Sequence, residues 1–340
     1  MIRAGIVGLG RWGRALVDAV AGKSCNSSDD IRFVRAMTRT RRDAEEFCRE
    51  RHIALVDRYE EILSAADIDA IVLATPHSQH ETQALAAIAA GKHVFVEKPL
   101  TLDLNSAMVV ADAARQAGLV LAVGLARRFH PSVAELRRRA RDGRLGAIVA
   151  MVAQHTTSTA QFIAPDNWRA SVEEAPGGAF TAVGVHALDH MIEFAGRVGD
   201  VRCITARNYP GPSDDTTTIM LRFDSGATGL LFCSVATATN FAFTAYGTKG
   251  LAEISRPDLS HFRFAPAATT APTGVVPAPP DEMLKFPGFD MLHAEMTAFA
   301  RAIRDGTPYP VPIDDVLHGM AVFDAVVESA KRGAIVAVRN

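Results

Sequence analysis

The stretch that most restricts this chain is its first one. Ile2 to Val7 reads as an apolar strand, Gly8-Leu9-Gly10-Arg11-Trp12-Gly13 as a glycine-rich turn, and Arg14 to Ala21 as a helix with Leu16, Val17 and Val20 facing inward. In that order the first glycine permits a tight turn, the second lets a pyrophosphate approach the backbone, and the third lets the helix pack on the strand. The helix start then offers N–H groups and a partial positive charge to phosphate. A strand on one side of the motif and a helix on the other is what a dinucleotide site requires, so Gly8 through Gly13 are its candidate residues.

Strand and helix go on alternating. After a polar loop, Ser24 to Asp30, a second strand covers Ile31 to Met37 and ends in Thr38-Arg39, with Arg41 and Arg42 behind and no carboxylate at its tip. An acidic tip would accept the ribose 2'-hydroxyl of NAD, whereas arginine accommodates a 2'-phosphate, so Thr38 and Arg39 favour NADP without excluding NAD. A third strand, Ala70 to Ala74, ends in Thr75-Pro76-His77-Ser78-Gln79-His80 before the helix Glu81 to Ala90, closed by Gly91. Ala74, Thr75, Pro76, His77 and His80 are placed beside the cofactor, the histidines without a chemical role. His93 to Val96 is a buried strand that runs into Glu97-Lys98-Pro99. Ligands sit beyond the carboxyl ends of such strands, which makes Lys98 the first catalytic candidate and Glu97 its neighbour at the cofactor. Thr101 can cap the next helix, which runs to Ala117 with Leu104, Met108, Ala111 and Ala114 inward and stops at Gly118. The strand Leu119 to Val123 completes a doubly wound parallel sheet, the α/β Rossmann fold, over residues 1–124.

Beyond Gly146 the pattern changes. Ala147 to His155, Val201 to Asn208, Thr216 to Phe223, Ala227 to Val235 and Phe241 to Tyr246 read as strands, with Asp224-Ser225-Gly226 a hairpin turn. Few helices intervene, so residues 125–340 are expected to form an α+β domain around a largely antiparallel open sheet. The proline- and alanine-rich stretch Ala265 to Pro280 is an exposed loop or arm, since proline does not suit a central strand. Helices Met291 to Arg304 and Asp314 to Lys331 finish the chain.

Composition removes other classes. The 340 residues are 48% hydrophobic and 22% charged, with a net charge of -2, which gives no global attraction to nucleic acid or an anionic membrane. The run Arg137-Arg138-Arg139-Ala140-Arg141 is expected to be the solvated face of a helix. Cys25, Cys48, Cys203 and Cys233 form no CxxC pair and have no histidines at zinc spacing, so neither a disulfide framework nor a metal is expected. No signal-peptide layout and no membrane-length apolar run is present, and a cytoplasmic location is expected.

A second chemical segment is Gly177-Gly178-Ala179-Phe180-Thr181-Ala182-Val183-Gly184-Val185-His186-Ala187-Leu188-Asp189-His190. Read as a regular helix, it puts Ala182, His186 and Asp189 on one face. Gly184 within it implies close approach by another group, for which the nicotinamide is a candidate. His186 has the side chain suited to proton exchange near neutrality, while His190 is expected to be packed inside.

Together, Gly8-x-Gly10-x-x-Gly13, Thr75-Pro76 with His80, Ala90-Gly91-Lys92-His93-Val94, Glu97-Lys98-Pro99, Gly177-Gly178 and Gly184-x-His186-x-x-Asp189 resemble the Gfo/Idh/MocA family of NAD(P)-dependent oxidoreductases over nearly the whole chain. The resemblance implies hydride transfer between nicotinamide and a hydroxyl or ketone of a sugar, inositol or related polyol. It implies that Lys98 touches the reacting hydroxyl, often after a cis bond to Pro99. It places an arginine of Leu125 to Pro131, Arg127 or Arg128, at the substrate, with Arg127 the candidate. It also implies a homodimer or homotetramer assembled through the C-terminal sheet. His186 relays the proton, Asp189 orients His186 or a neighbouring hydroxyl, and His155, Trp168, Arg169 and Tyr246 are candidates to line the pocket.

The chain departs from the family at Ala182, where an aspartate is usual. Without that carboxylate His186 is less basic and less well oriented, unless Asp189 substitutes. Two other readings follow: a non-redox enzyme such as a glycosidase that uses the nicotinamide transiently, or a sugar- and dinucleotide-responsive regulator without catalysis.

Overall fold

A computed structural model describes residues 1–21, 29–164, 167–211, 213–271 and 274–339. Cys25 and residues 24–28 of the polar loop lie outside them. The chain divides into two units, residues 1–126 with 290–320 and residues 127–289 with 321–340.

The first unit begins with β1 (Ile2–Val7), α1 (Arg11–Val20), β2 (Ile31–Met37), α2 (Glu45–Glu50), β3 (Ala54–Val56) and α3 (Glu60–Leu63). It continues with β4 (Ala70–Leu73), α4 (His80–Ala89), β5 (His93–Glu97), α5 (Leu104–Ala117) and β6 (Leu121–Gly124). The six strands are parallel in the order β3-β2-β1-β4-β5-β6. That is the Rossmann order, and its reversal between β1 and β4 creates the crevice in which such sheets bind ligands. Every residue of β4 is buried, as expected of a strand covered on both faces.

Two local readings change here. Asp103, and not Thr101, caps α5: its side chain accepts from the Ser106 N–H, while the Thr101 hydroxyl donates to the Asp103 carbonyl. Starting the helix there turns Ala107, Val110, Ala111 and Ala114 inward and leaves Met108 exposed.

The second unit contains α6 (Pro131–Arg141), β7 (Ile148–Thr156), α7 (Val185–Ala195), β8 (Val198–Ala206), β9 (Thr216–Phe223), β10 (Thr228–Ser234) and β11 (Asn240–Gly247). After these come β12 (Gly250–Ser255), β13 (His261–Pro266), β14 (Thr269–Ala271), β15 (Gly274–Val276) and β16 (Glu282–Lys285). The chain then contributes α8 (Met291–Asp305) to the first unit, followed by α9 (Ile313–Arg332) and β17 (Val336–Ala337).

Nine strands form one sheet in the order β16-β13-β12-β11-β7-β10-β9-β8-β17, antiparallel except where β10 pairs with β7. Burial alternates along the strands: Thr217, Ile219, Leu221 and Phe223 of β9 are buried, whereas Met220 and Arg222 are exposed. Helix α7 lies on β7 and β10 on the buried face. The stretch read as an exposed arm is exposed through residues 274–280 and carries the small hairpin β14–β15.

The division at residue 124, with everything after it in the second domain, misplaces α8. Its apolar face, Met296, Phe299 and Ala300, belongs to the core made by β1, β2 and α1, and Phe299 stacks 5.7 Å from the fully buried Phe95 of β5. Burying a phenylalanine side chain contributes up to about 3 kcal/mol, so α8 is integral to the dinucleotide unit.

Candidate active site

The glycines after β1 are required by backbone and not by side chains. Gly8 has φ +96°, and a Cβ there would lie 2.5 Å from the Ala74 carbonyl oxygen; a Cβ on Gly13 would lie 1.9 Å from the Gly8 carbonyl oxygen. These contacts bring together the ends of three strands, because Gly8 N–H donates to the Met37 carbonyl and Ala74 N–H to the Val7 carbonyl. Gly10 is different: a Cβ there would meet nothing within 4 Å. It stands exposed at the start of α1, whose first turn holds no acid and no side-chain cap. An open glycine before an uncapped helix start fits a pyrophosphate.

Around this turn, Leu9 is buried and can contribute backbone alone, and Arg11 is exposed. Trp12 packs against the core. Arg14 fastens the turn, donating to the Leu9 carbonyl at 3.1 Å and to the Asp43 carbonyl. At the β2 tip Thr38 is half-buried and Arg39 exposed, and no hydrogen bond or ion pair occupies Arg39 among the described residues. Arg41 is engaged by Asp57 at 2.5 Å and by Glu45.

After β4, Thr75 donates to the Gln83 side chain at 2.7 Å, and Pro76 and His77 are half-buried. His80 is corrected from a cofactor neighbour to an internal brace. It is fully buried, with Nδ1 3.0 Å from the Pro99 carbonyl and Nε2 3.1 Å from the Thr75 carbonyl, so it links the ends of β4 and β5 and has no surface left for a ligand. The Lys98–Pro99 bond is cis and Lys98 is half-buried. Glu97 is buried against Gly124, where a Cβ would meet its carboxylate at 2.9 Å. A cavity of about 280 Å³ lined by Met1, Ile31, Phe33 and His52 lies at the opposite, amino-terminal ends of β1 and β2, away from this crevice.

In the second unit the segment read as one regular helix begins with a π turn, Phe180–Gly184, and becomes α-helical at Val185. The wider turn changes which residues share a face, so Ala182 and His186 do not follow α spacing; such turns recur at functional sites. Gly178, at φ +58°, sits where a Cβ would be 2.5 Å from the Asp214 carbonyl oxygen. Gly184 is needed for internal packing and not to admit a nicotinamide. A Cβ there would lie 2.6 Å from the Phe180 ring and 3.0 Å from Cys233 Sγ.

His186 is half-buried in the first turn of α7, its ring centre 6.1 Å from that of His155. His155 is buried on β7, with Nδ1 2.9 Å from the Val183 carbonyl and Nε2 3.2 Å from Arg127 Nη2. A carbonyl only accepts and a guanidinium only donates, so His155 is neutral with its proton on Nδ1. It therefore ties β7 to the π turn just ahead of His186.

The adjacent arginines have separate fates. Arg128 is buried and donates to both carboxylate oxygens of Asp189, at 3.0 and 2.5 Å, with Glu193 at 3.7 Å. Asp189 is thus corrected from a carboxylate available to orient His186 to one half of a buried ion pair. Arg127 is half-buried, with its guanidinium 4.5 Å over the Phe241 ring, and burial pushes its pKa down to about 10. His190, one turn after His186, is enclosed edge-on by Phe241 and Phe243; burial and then Arg128, Arg127 and Arg137 hold its pKa well below the ordinary range.

Tyr246 does not belong with this group. It pairs with Ala150, while His155 pairs with Phe241; alternation therefore puts Tyr246 on the other, open face of the sheet and five residues along β11. Trp168 and Arg169 form a short turn of their own, with the guanidinium 4.1 Å over the indole. The ion pairs and the His155 bridge had no signal in the sequence beyond residue type, because their partners lie 28 and 61 positions apart. Among the described residues no group of acids, histidines and cysteines could hold a metal.

A strand-end dinucleotide cradle in one unit and a GG-to-His segment on a mixed sheet in the other define a class, the NAD(P)-dependent oxidoreductases with a Rossmann fold. The profile described as "Oxidoreductase family, NAD-binding Rossmann fold" matches residues 2–125, and the "GFO/IDH/MocA C-terminal domain" matches residues 133–253. The chain belongs to the Gfo/Idh/MocA family, and it is a dehydrogenase of the kind that acts on CH–OH groups. It is 30% identical to D-xylose 1-dehydrogenase (NADP(+)) 2 of Haloferax volcanii over 82% of this chain and 83% of that one. To trans-1,2-dihydrobenzene-1,2-diol dehydrogenase of Oryctolagus cuniculus it is 28% identical over 66% of this chain, and the match spans about two thirds, 67%, of that protein. The structure of levoglucosan dehydrogenase with NADH and L-sorbose superposes with a TM-score of 0.88 at 22% identity, covering 100% of this chain and 99% of that one, and shows the shared fold.

Proposed function

We propose that the protein is an NADP-preferring dehydrogenase of a sugar, inositol or related polyol. The observation that carries the cofactor preference is Arg39, exposed at the β2 tip and without a partner among the described residues, where a 2'-phosphate would be met. Thr38 adds a hydroxyl beside it. The backbone of Gly8 to Gly13 takes the pyrophosphate, with Ala74, Thr75, Pro76, His77 and Glu97 at the adjacent strand ends.

The bound dinucleotide supplies the acceptor for the hydride that leaves the carbinol carbon. Lys98 holds the reacting hydroxyl and takes its proton, and His186 passes that proton towards solvent. Asp189 acts through Arg128 and the start of α7, holding the helix that carries His186. Arg127, Trp168 and Arg169 bind the rest of the substrate. The open face of the large sheet, where Ile204, Met220 and Leu230 are exposed, favours a homodimer or homotetramer. The near-neutral charge supports a small-molecule substrate in place of nucleic acid, and among the described residues no helix is long and apolar enough to cross a membrane.

The test is a titration of the purified protein with NADPH and with NADH, followed by turnover with a polyol panel in wild type and Lys98→Ala. NADPH should bind more tightly, and Lys98→Ala should lose turnover by about 10²- to 10⁴-fold while NADPH affinity stays within a few-fold. Preference for NADH would remove the role given to Arg39. Unchanged turnover would remove Lys98 from the reaction, and failure to bind either dinucleotide would favour the regulator.

A further inference from the structure

We propose that the substrate carries a carboxylate, so that the polyol is a sugar acid, and that the Arg127 guanidinium receives it. The inference rests on the dehydrogenase reading and narrows its substrate class.

Charges around α7 are unevenly paired. Among the described residues, the guanidiniums of Arg127, Arg128 and Arg137 surround His190 of α7, and the carboxylates that α7 itself offers them are Asp189 and Glu193. Arg128 takes both oxygens of Asp189, and Arg137 holds Glu193 at 2.6 Å with Arg128 at 3.7 Å from the same side chain. Arg127 is left with neutral acceptors: the Pro257 carbonyl at 3.4 Å and His155 Nε2 at 3.2 Å. No carboxylate pairs with it among the described residues. Asp258, the residue after that carbonyl, accepts at Oδ1 from the Ser260 hydroxyl at 2.7 Å and from the Ser260 backbone N–H at 3.2 Å. The turn before His186 adds no acid, since Phe180 to Val185 contains none.

A half-buried guanidinium with two long bonds to neutral acceptors and an aromatic ring beneath it keeps N–H donors for a charged partner, and it matches a carboxylate in a two-pronged bond. Burial pushes the Arg127 pKa down to about 10, and at His190 burial and then Arg128, Arg127 and Arg137 act in the same direction. The position suits a substrate. His155, which Arg127 contacts, has its ring 6.1 Å from that of His186, so an anion on Arg127 sits a few bonds from a hydroxyl on His186. A phosphate would present more charge than one guanidinium with two of its donors engaged can offset, which favours a carboxylate.

The test measures binding to protein saturated with its preferred dinucleotide, separately from turnover. Uronates of the gluco, galacto and manno series are each compared with their own neutral aldose and with the aldose 6-phosphate. At least one uronate should bind roughly ten- to a hundredfold more tightly than its aldose, the range of one charge-assisted hydrogen bond, and more tightly than the phosphate. Arg127→Gln should erase most of that difference, and Arg127→Lys should keep part of it. Equal or weaker binding of every uronate in the wild type overturns the proposal, as does a preference for the phosphate or one that survives Arg127→Gln. Tight uronate binding without hydride transfer would leave the anion site standing and remove the dehydrogenase reading; turnover of neutral aldoses with no uronate preference would do the reverse.

Discussion

Two glycine-dependent corners of this molecule differ in what occupies the missing side chain's place. After β1, Gly8 and Gly13 are required because backbone meets backbone, the Ala74 and Gly8 carbonyl oxygens standing where a Cβ would go. Ahead of α7, Gly184 is required because the Phe180 ring and the Cys233 sulfur stand there. A corner closed by backbone depends only on the glycines and so shows itself in a short motif. A corner closed by side chains depends on residues from other elements, and its motif gives the position but not the mechanism.

The same contrast holds for charge. The dinucleotide corner uses main-chain N–H groups, which do not titrate, whereas the corner around α7 is held by the Arg128–Asp189 pair. The largest test of this difference is Asp189→Asn, which takes the nearer carboxylate from the buried Arg128 and leaves Glu193 at 3.7 Å. A loss of about 3–5 kcal/mol in urea unfolding is expected, as for other broken buried pairs. Replacing both partners, Arg128→Met with Asp189→Leu, should recover much of it. If Asp189→Asn cost under about 1 kcal/mol, the ion pair would not be what holds α7.

A smaller effect is expected from His130, which begins α6. Its Nδ1 accepts the Ser132 N–H, and burial pushes its pKa down to about 4, with Asp258 opposing and Arg127 adding. The unfolded chain takes up this proton near pH 6.5 and the folded chain only near pH 4, so stability falls as pH drops through that window and levels off below it. The loss is about 3 kcal/mol. His130→Asn keeps a capping acceptor and cannot titrate, so its stability profile between pH 6.5 and 4 should be flatter by that amount. A parallel profile in wild type and variant would place the acid sensitivity elsewhere.

Legibility in the sequence followed the same division. Five of the six parallel strands, the turn at Gly8 to Gly13 and the strand-end position of Lys98 were readable because period, glycine spacing and strand-end position act locally, whereas β3, three residues long, carried too short a pattern and the cis bond before Pro99 was expected only from the family resemblance. The sheet of the second unit was readable as far as Tyr246. The alternation in Gly250–Ser255 and His261–Pro266 is the signal that extends it through β12 and β13. Other features were not local. Asp189 looked available because Arg128 is 61 residues away, and His80 looked like a cofactor neighbour because nothing in a motif shows that two carbonyls enclose it. Tyr246 was misplaced by parity, since the face a strand residue occupies is fixed by its register with β7. The π turn at Phe180–Gly184 had no precedent in the α spacing, and α8 joined the first unit because its apolar stripe matched that core.

The smallest effect on stability should come from the glycine that separates the two kinds of corner most cleanly. Gly8 and Gly13 cannot carry a Cβ without moving backbone, so their replacement damages fold and site together. Gly10 has φ −70° and open space around its missing side chain, so alanine fits the apo chain without strain. Its only loss is room for a group that approaches from outside. Gly10→Ala should therefore leave unfolding within about 0.5 kcal/mol of wild type. Dinucleotide affinity should nevertheless fall by roughly ten- to a hundredfold, because a methyl group would stand where the pyrophosphate meets the first turn of α1. Loss of both stability and affinity would mean that Gly10, like its neighbours, serves the backbone. Loss of neither would mean that the pyrophosphate does not pass over Gly10, and the cradle would have to be built from the Gly8 side of the turn.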